Sequence, residues 1–297
     1  MIVVAGEALV DLIPTPSGDL GVHPGGGPFN TARWLGRLGA SVSFMGALAR
    51  DPLGRRLRES LTAAGVALET VVETQLPTTL ALAQLDDTGA AHYSFYTAST
   101  SIADLRPEQI EARLPRELDA LCVGSIGLML EPIASAVEVA VGLARERGAL
   151  VMLDPNVRPT LIEDRGWYLR RLEGVLALTD VLKLSVEDAA WLVEDKPPAV
   201  AARALGSRGP RVVLLTEGAA GATVFTAGTH RHFPAAPVTV LDTIGAGDAF
   251  SAGFLTSWLG SDRNPAALAQ ATAFAIRVAG LACTVRGATP PADVPSA

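Results

Sequence analysis

Leu241-Asp-Thr-Ile-Gly-Ala-Gly-Asp-Ala-Phe250 is where an apolar run over 237–241 meets an acid, a turn of small residues and the start of a helix. Gly245, Ala246 and Gly247 let backbone approach backbone or ligand closely. Beyond Asp248, the residues Phe250, Phe254, Leu255, Trp258 and Leu259 recur at spacings of three and four, the pattern of one helix face. Free N–H groups from Gly245 to Asp248 would then make an anion site, with phosphate the best-suited anion. Asp248 in the first turn reads either as a helix cap or as a reactive carboxylate, and the residue alone leaves both readings open.

Outward from this stretch, apolar runs alternate with helical stripes. Strands are expected over 2–9, 42–48, 118–123, 150–153, 181–184, 212–215 and 222–225. Helices are expected around Ala32, Leu35 and Leu38, over 53–64 and 133–147, around Ala189 and Leu192, and over 268–283. Pro28 suits the first turn of its helix, because its missing N–H costs nothing there. Such alternation predicts an α/β fold with a doubly wound, mostly parallel sheet. The rhythm breaks over 69–97, where 79–85 and 91–96 read as an antiparallel hairpin on the Asp86–Gly89 loop. With 12–24 it would form a small β lid on a single domain spanning 1–297. Tyr93, Phe95 and Tyr96 could face a ligand or pack the lid on itself.

Bulk composition narrows the function classes. The 297 residues are 49% hydrophobic and 19% charged, a globular composition. A net charge of −7 gives no basic footprint for nucleic acid or an anionic membrane. The apolar N-terminus is interrupted by Glu7 and Asp11 and reads as a first strand, and no apolar run reaches the ~20 residues of a span. Cys122 and Cys283 sit in apolar stretches, which fits reduced thiols in a cytoplasmic protein. The only lysines, Lys183 and Lys196, do not follow glycine, so there is no Walker A loop. HExxH and GxSxG runs are also lacking.

Polar clusters fall after expected strands: Asp11, the Asp154–Arg158 run, Ser185 to Asp188, Thr216 to Gly218, and Asp242 to Asp248. In open α/β sheets ligands bind at the carboxyl ends of the strands. Their joint position argues for one site along one rim.

Gly25-Gly-Gly-Pro-Phe-Asn-Thr-Ala32, with Gly39 after its helix, and Asp242-Thr-Ile-Gly-Ala-Gly-Asp248 resemble the two signatures of the ribokinase-like (PfkB-type) carbohydrate kinases. Gly6-Glu-Ala-Leu-Val-Asp-Leu-Ile-Pro14 and Asp154-Pro-Asn-Val-Arg158 look most like the fructokinase and 2-keto-3-deoxygluconate kinase branch. The resemblance implies an α/β/α domain with a β lid that moves the ATP γ-phosphoryl group to a sugar hydroxyl with Mg²⁺. On it, Asp248 is the catalytic base and Gly245, Ala246 and Gly247 form the anion hole. A carboxylate at a helix N-terminus is expected to be ionised at neutral pH. Asp11, Gly26, Gly27, Asn30, Tyr96 and Arg158 are expected at the sugar, and Lys183, Ser185, Thr216, Gly218 and Gly221 at the nucleotide. Asp188, with Glu187 beside it, would hold Mg²⁺ through water, in Ser185-Val-Glu-Asp188 where the family has Asn-x-x-Glu. K⁺ near Asp242 and a homodimer through the lid are further family traits. Where relatives carry Arg after an aromatic pair in the lid, this chain has Thr97, which favours a neutral hexose, fructose first. Alternatives are 2-keto-3-deoxygluconate kinase, another carbohydrate or nucleoside kinase, or a non-catalytic sugar- or nucleotide-binding regulator.

Overall fold

Successive residues of each buried strand enter opposite cores, and this fixes a three-layer molecule. The computed structural model describes residues 1–15, 17–85 and 91–296. The first half contains β1 (Ile2–Ala5), β2 (Leu9–Pro14), β3 (Leu20–Gly25), α1 (Gly27–Arg37), β4 (Val42–Met45), β5 (Ala47–Ala49), α2 (Pro52–Ala63), β6 (Val72–Thr74), β7 (Leu80–Leu85) and β8 (Ala91–Tyr96). There follow α3 (Ile110–Arg113), β9 (Ala120–Gly124), α4 (Ile133–Glu146), β10 (Leu150–Asp154), α5 (Arg165–Leu176), β11 (Val181–Ser185), α6 (Val186–Leu192) and α7 (Pro198–Gly206). The chain ends with β12 (Val212–Thr216), β13 (Ala222–Thr226), β14 (Thr229–Phe233), α8 (Ala246–Gly260) and α9 (Leu268–Ala282).

The large sheet runs β14-β13-β12-β11-β10-β9-β1-β4. It is parallel except at β13 and β14, which pair antiparallel at one edge. Val3, Leu121, Val151, Leu153, Leu182 and Leu184 pack toward α4, α5, α6 and α7. The residues between them, including Val4, Cys122, Met152 and Val181, pack toward α1, α2, α8 and α9. Burial on both faces is why these strands are continuous apolar runs with no polar alternation.

The smaller sheet runs β3-β2-β7-β8. Its hairpin pairs Ala81 with Phe95 and Ala83 with Tyr93. The expected Asp86–Gly89 loop lies outside the described residues. Three expectations need correction. The run 2–9 is two strands, because Gly6 turns the chain where any Cβ would lie 2.4 Å from Pro28 Cγ; β2 leaves the large sheet and carries Asp11 into the small one. The small sheet therefore begins at Leu9, while β6 pairs with β5 and lies outside it. Residues 237–241 form no strand, and Val240 and Leu241 are exposed.

Residues 265–282 are apolar enough, over 18 residues, to cross a membrane by composition. The helix they contain instead packs on α8 through Phe274, Ala275 and Val278. α8 itself is buried on nearly every side from Asp248 to Leu255. Burying Phe250 and Phe254 contributes about 1.5–3 kcal/mol each, which anchors the helix whose tip forms the site.

Candidate active site

Between the small sheet and the C-terminal ends of the parallel strands lies a cavity of about 1230 Å³. Gly245 starts α8 in the left-handed region at φ 79°, and a Cβ there would meet Ala288 at 2.8 Å. The helix has no side-chain cap. Ala246 N turns back to Thr243 O, leaving the Gly247 and Asp248 amides without a partner among the described residues. These amides face the cavity together with Gly245 and Ala246. The arrangement suits an anion, because unpaired N–H groups and the helix dipole act in the same direction.

Asp248 sits in the first turn, only 8% exposed. Asn30 Nδ2 donates to its Oδ2 at 3.0 Å. Burial, reinforced by the charge of Asp154, pushes the Asp248 carboxyl up to about 7. This corrects the expectation of a fully ionised group at neutral pH: removal from water outweighs the helix end.

At the small-sheet end, Asp11 faces the cavity with Leu9, Tyr93 and Phe95. Burial raises Asp11 to about 6, partly offset by Arg158. Gly26 and Gly27 open the wall beside them: Cβ atoms there would stand 2.8 Å from Glu7 O and 2.9 Å from Asn156 Nδ2. Arg158 lines the same end, and its Nη1 is held by Asn156 Oδ1 at 2.8 Å and the Val157 carbonyl at 3.1 Å. Tyr96 is a correction. It is 55% exposed and on the opposite face of β8 from Tyr93 and Phe95, because strand side chains alternate.

At the other end, Lys183, Ser185, Thr216, Gly218 and Gly221 line the cavity. Thr216 Oγ1 donates to Leu184 O at 3.1 Å. Gly221 has a packing reason as well, since a Cβ would stand 2.1 Å from Phe233 O. Glu187 is exposed at the mouth. Asp188 does not line the cavity, contrary to its expected place at a metal. Its Oδ1 accepts from Val157 N at 2.8 Å and its Oδ2 from Ser185 N and Oγ at 3.0 and 2.9 Å. It closes a capping box and ties α6 to the 154–158 loop. Asp242 likewise serves the backbone, accepting from Ile244 N at 3.0 Å and Gly287 N at 2.8 Å. No cluster of three His, Cys, Asp or Glu occurs among the described residues.

Sequence reasoning assigned no role to three participants. Glu7 is 1% exposed and accepts from Gly27 N at 3.2 Å and Gly127 N at 3.1 Å. Burial raises its carboxyl to about 7; an acid between apolar neighbours in a first strand was its signal. Asp154 bonds Lys183 Nζ at 2.8 Å. The third is an apolar slot made by Ala236, Val238, Ile276, Ala279 and Gly280, hidden because a loop and a helix supply its two walls.

Residues 1–295 match the family described as pfkB family carbohydrate kinase. A fructokinase from Rhizobium leguminosarum bv. trifolii is 37% identical over 263 residues, 86% of this chain and 79% of that protein. Among solved structures, a fructokinase from Xylella fastidiosa with bound ATP superposes with a TM-score of 0.89 at 29% identity, covering 97% and 93% of the two chains. An aminoimidazole riboside kinase from Salmonella enterica, complexed with aminoimidazole riboside and an ATP analogue, gives 0.88 at 28% identity, covering 98% and 96%.

Proposed function

The chain belongs to the pfkB family of carbohydrate kinases, and from that premise we propose that this ATP-dependent sugar kinase phosphorylates fructose. The observation that carries the reading is the Asn30–Asp248 contact beside the open amides of α8. It brings a buried carboxylate and unpaired backbone N–H groups to one point of the cavity, which supports the reading of a base beside an anion hole.

In the proposed reaction a sugar hydroxyl gives its proton to Asp248 while its oxygen bonds to the γ-phosphorus. The bond from that phosphorus to the β–γ bridging oxygen breaks, and ADP leaves with the electron pair. Charge would build on the transferring group, beside the open Gly247 and Asp248 amides. Because the transition state is loose, positioning and charge stabilisation dominate. Asp11, Asn30 and the Gly26–Gly27 backbone would hold sugar hydroxyls, and the apolar slot would hold the purine base. Lys183, Ser185, Thr216 and Gly218 lie on the nucleotide side.

Mg²⁺ would supply charge neutralisation on the phosphates. Glu187 at the cavity mouth fits it, since Mg²⁺ keeps several waters and needs only one or two carboxylates beside phosphate oxygens. Asp242 joins the start of the anion-hole turn to Gly287, where K⁺ would act; a rate stimulated by K⁺ over Na⁺ tests that. For the substrate, Arg158 is already engaged with Asn156 and Val157, and Thr97 follows the lid's aromatic pair, where the family resemblance leads one to expect arginine. Both favour a neutral hexose over an acid sugar.

The small sheet would act as a lid. Its outer face carries exposed Leu20 and Tyr96 beside half-buried Leu12 and Val22, a surface suited to a second copy of the chain; light scattering at the mass of one chain would count against it. Free thiols at Cys122 and Cys283 and a nucleotide substrate favour a cytoplasmic protein. The primary experiment is ADP release with Mg-ATP on fructose, 2-keto-3-deoxygluconate, ribose and aminoimidazole riboside, with Asp248→Asn alongside. Turnover on fructose, lost by about 10²–10⁴-fold or more in the variant, supports the reading. Turnover on another sugar overturns the choice of fructose and retains the mechanism.

A further inference from the structure

Two cavity-lining residues other than glycine hold a backbone conformation that glycine would adopt more readily. Ser125, just after β9, has φ 55°, and Asn156, two residues after β10, has φ 39°. Asparagine tolerates the left-handed region; for serine it is uncommon. Ser125 is also buried, at 3% exposure. Strain of this kind persists where the surrounding structure imposes it, and it gathers at functional sites. The pair therefore calls for a reason that lies in the side chains.

Hydrogen bonds supply it. Arg158 Nη1 donates to Asn156 Oδ1 at 2.8 Å. Asn156 Nδ2 donates in turn to Ser125 Oγ at 3.5 Å. Burial is the chief influence on the Glu7 carboxyl, raising it, and a hydrogen bond from the Ser125 side chain comes next, lowering it. Guanidinium, amide, hydroxyl and carboxyl thus follow one another with every donor pointing the same way, an arrangement in which successive bonds polarise one another. Glu7 is pinned at the far end by the Gly27 and Gly127 amides. Gly27 also leaves the run its space: a Cβ there would stand 2.9 Å from Asn156 Nδ2 and 3.3 Å from Ser125 Oγ. At the near end, burial raises Asp11 and Asp248, and the charge of Arg158 offsets part of that in both. Yet every hydrogen bond from the Arg158 side chain among the described residues goes to Asn156 or Val157. An arginine left free beside such a carboxylate would close on it, because a bidentate pair is the strongest contact open to either group. That pair would occupy the Asp11 oxygens that sugar hydroxyls need.

We propose that Asn156 and Ser125, anchored on Glu7, are positioning residues that hold the Arg158 guanidinium off Asp11, so that both groups stay open to a sugar. The inference rests on the kinase reading above. It gives the left-handed residues at the ends of β9 and β10 a task that glycine, lacking a side chain, could not perform.

The test uses the full-length protein with Asn156→Gly, Ser125→Gly and Arg158→Met, singly and as the double variant Asn156→Gly/Arg158→Met. Glycine suits the backbone at both positions, so each variant removes a side chain without adding strain, and thermal unfolding is followed alongside. Asn156→Gly and Ser125→Gly are expected to raise KM for fructose, or for the sugar found in its place, about tenfold, with KM for ATP unchanged. In the Arg158→Met background, Asn156→Gly is expected to change that KM by less than about twofold, because a positioning residue then has nothing left to position. A crystal structure of ligand-free Asn156→Gly is expected to show the guanidinium paired with Asp11. A sugar KM within about twofold of wild type in either glycine variant overturns the proposal. So do effects that multiply in the double variant, or a guanidinium still in its wild-type place in that crystal, since each reduces the run to packing. Should wild type turn over no sugar, the kinase reading fails, while the crystal structure still judges the role of Asn156.

Discussion

The side-chain amide of Asn30 donates to Asp248 Oδ2 at 3.0 Å, across 218 residues of chain. α1 and α8 pack side by side, and the bond forms where their first turns meet. It stabilises the ionised carboxylate and so opposes burial, which has pushed Asp248 up to about 7. A base must be deprotonated to accept a proton, so turnover rises with pH through about 7 and levels off above it. Asn30→Leu removes the opposing donor, moves this acid limb to higher pH and lowers turnover most below neutrality. A pH–rate profile at saturating substrates reads it; an unmoved limb would mean that Asp248 is not the titrating base.

Glu7 predicts a stability effect of opposite sense to an ordinary surface acid. Its carboxyl rises from 4.5 in the unfolded chain to about 7 in the fold, burial being the largest cause. The folded state therefore holds the proton more tightly. Its favourable contribution is full below about pH 4.5 and is lost as pH rises through about 7. The shift corresponds to about 3 kcal/mol. Glu7→Gln, neutral at every pH, should gain on wild type as pH increases from 5 to 8 in thermal unfolding. A constant difference between the two proteins would show that Glu7 ionises freely in the fold.

Both chain-end signatures were legible because each is local. Gly25 to Asn30 and Gly245 to Asp248 each combine a glycine-permitted turn with a helix start, and short-range patterns carry that information. The layered sheet was legible through its apolar runs. The contacts that complete the site are long-range. Asp154 meets Lys183 through strand register, and Asp188 meets Val157 N where the first turn of α6 approaches the 154–158 loop. Neither follows from spacing within a segment. The place of Asp11 was misread for a related reason: the break at Gly6 depends on Pro28, a neighbour only in the folded chain.

Strand alternation on β8 separates two aromatic roles. Tyr93 and Phe95 stack at 6.1 Å and line the cavity, while Tyr96 points outward. Phe95→Ala should raise KM for the sugar about tenfold or more through lost packing against bound substrate. Tyr96→Ala should leave KM for both substrates within about twofold and weaken any self-association instead. Steady-state kinetics with sedimentation of each variant decides the matter. A raised sugar KM in Tyr96→Ala with unchanged mass would return that residue to the site.

Asp188 and Glu187 adjoin in sequence and separate in function. All three donors on the Asp188 carboxylate come from protein, and its Oδ1 holds Val157 N in the loop that carries Arg158. Asp188→Ala leaves buried donors unpaired at about 1–3 kcal/mol each and releases α6 from the Asp154–Arg158 run. The expected outcome is a melting temperature lower by several degrees, with a higher sugar KM because Arg158 is no longer held, and an unchanged Mg²⁺ concentration for half-maximal rate. Glu187, exposed at the cavity mouth, has no such duty. Glu187→Gln should leave the melting temperature in place and raise the Mg²⁺ requirement. Magnesium titrations of the rate, run beside thermal unfolding, distinguish the two carboxylates. A raised Mg²⁺ requirement in Asp188→Ala with unaltered stability would instead put the metal network at Asp188, since only a ligand role could move the titration without moving the fold.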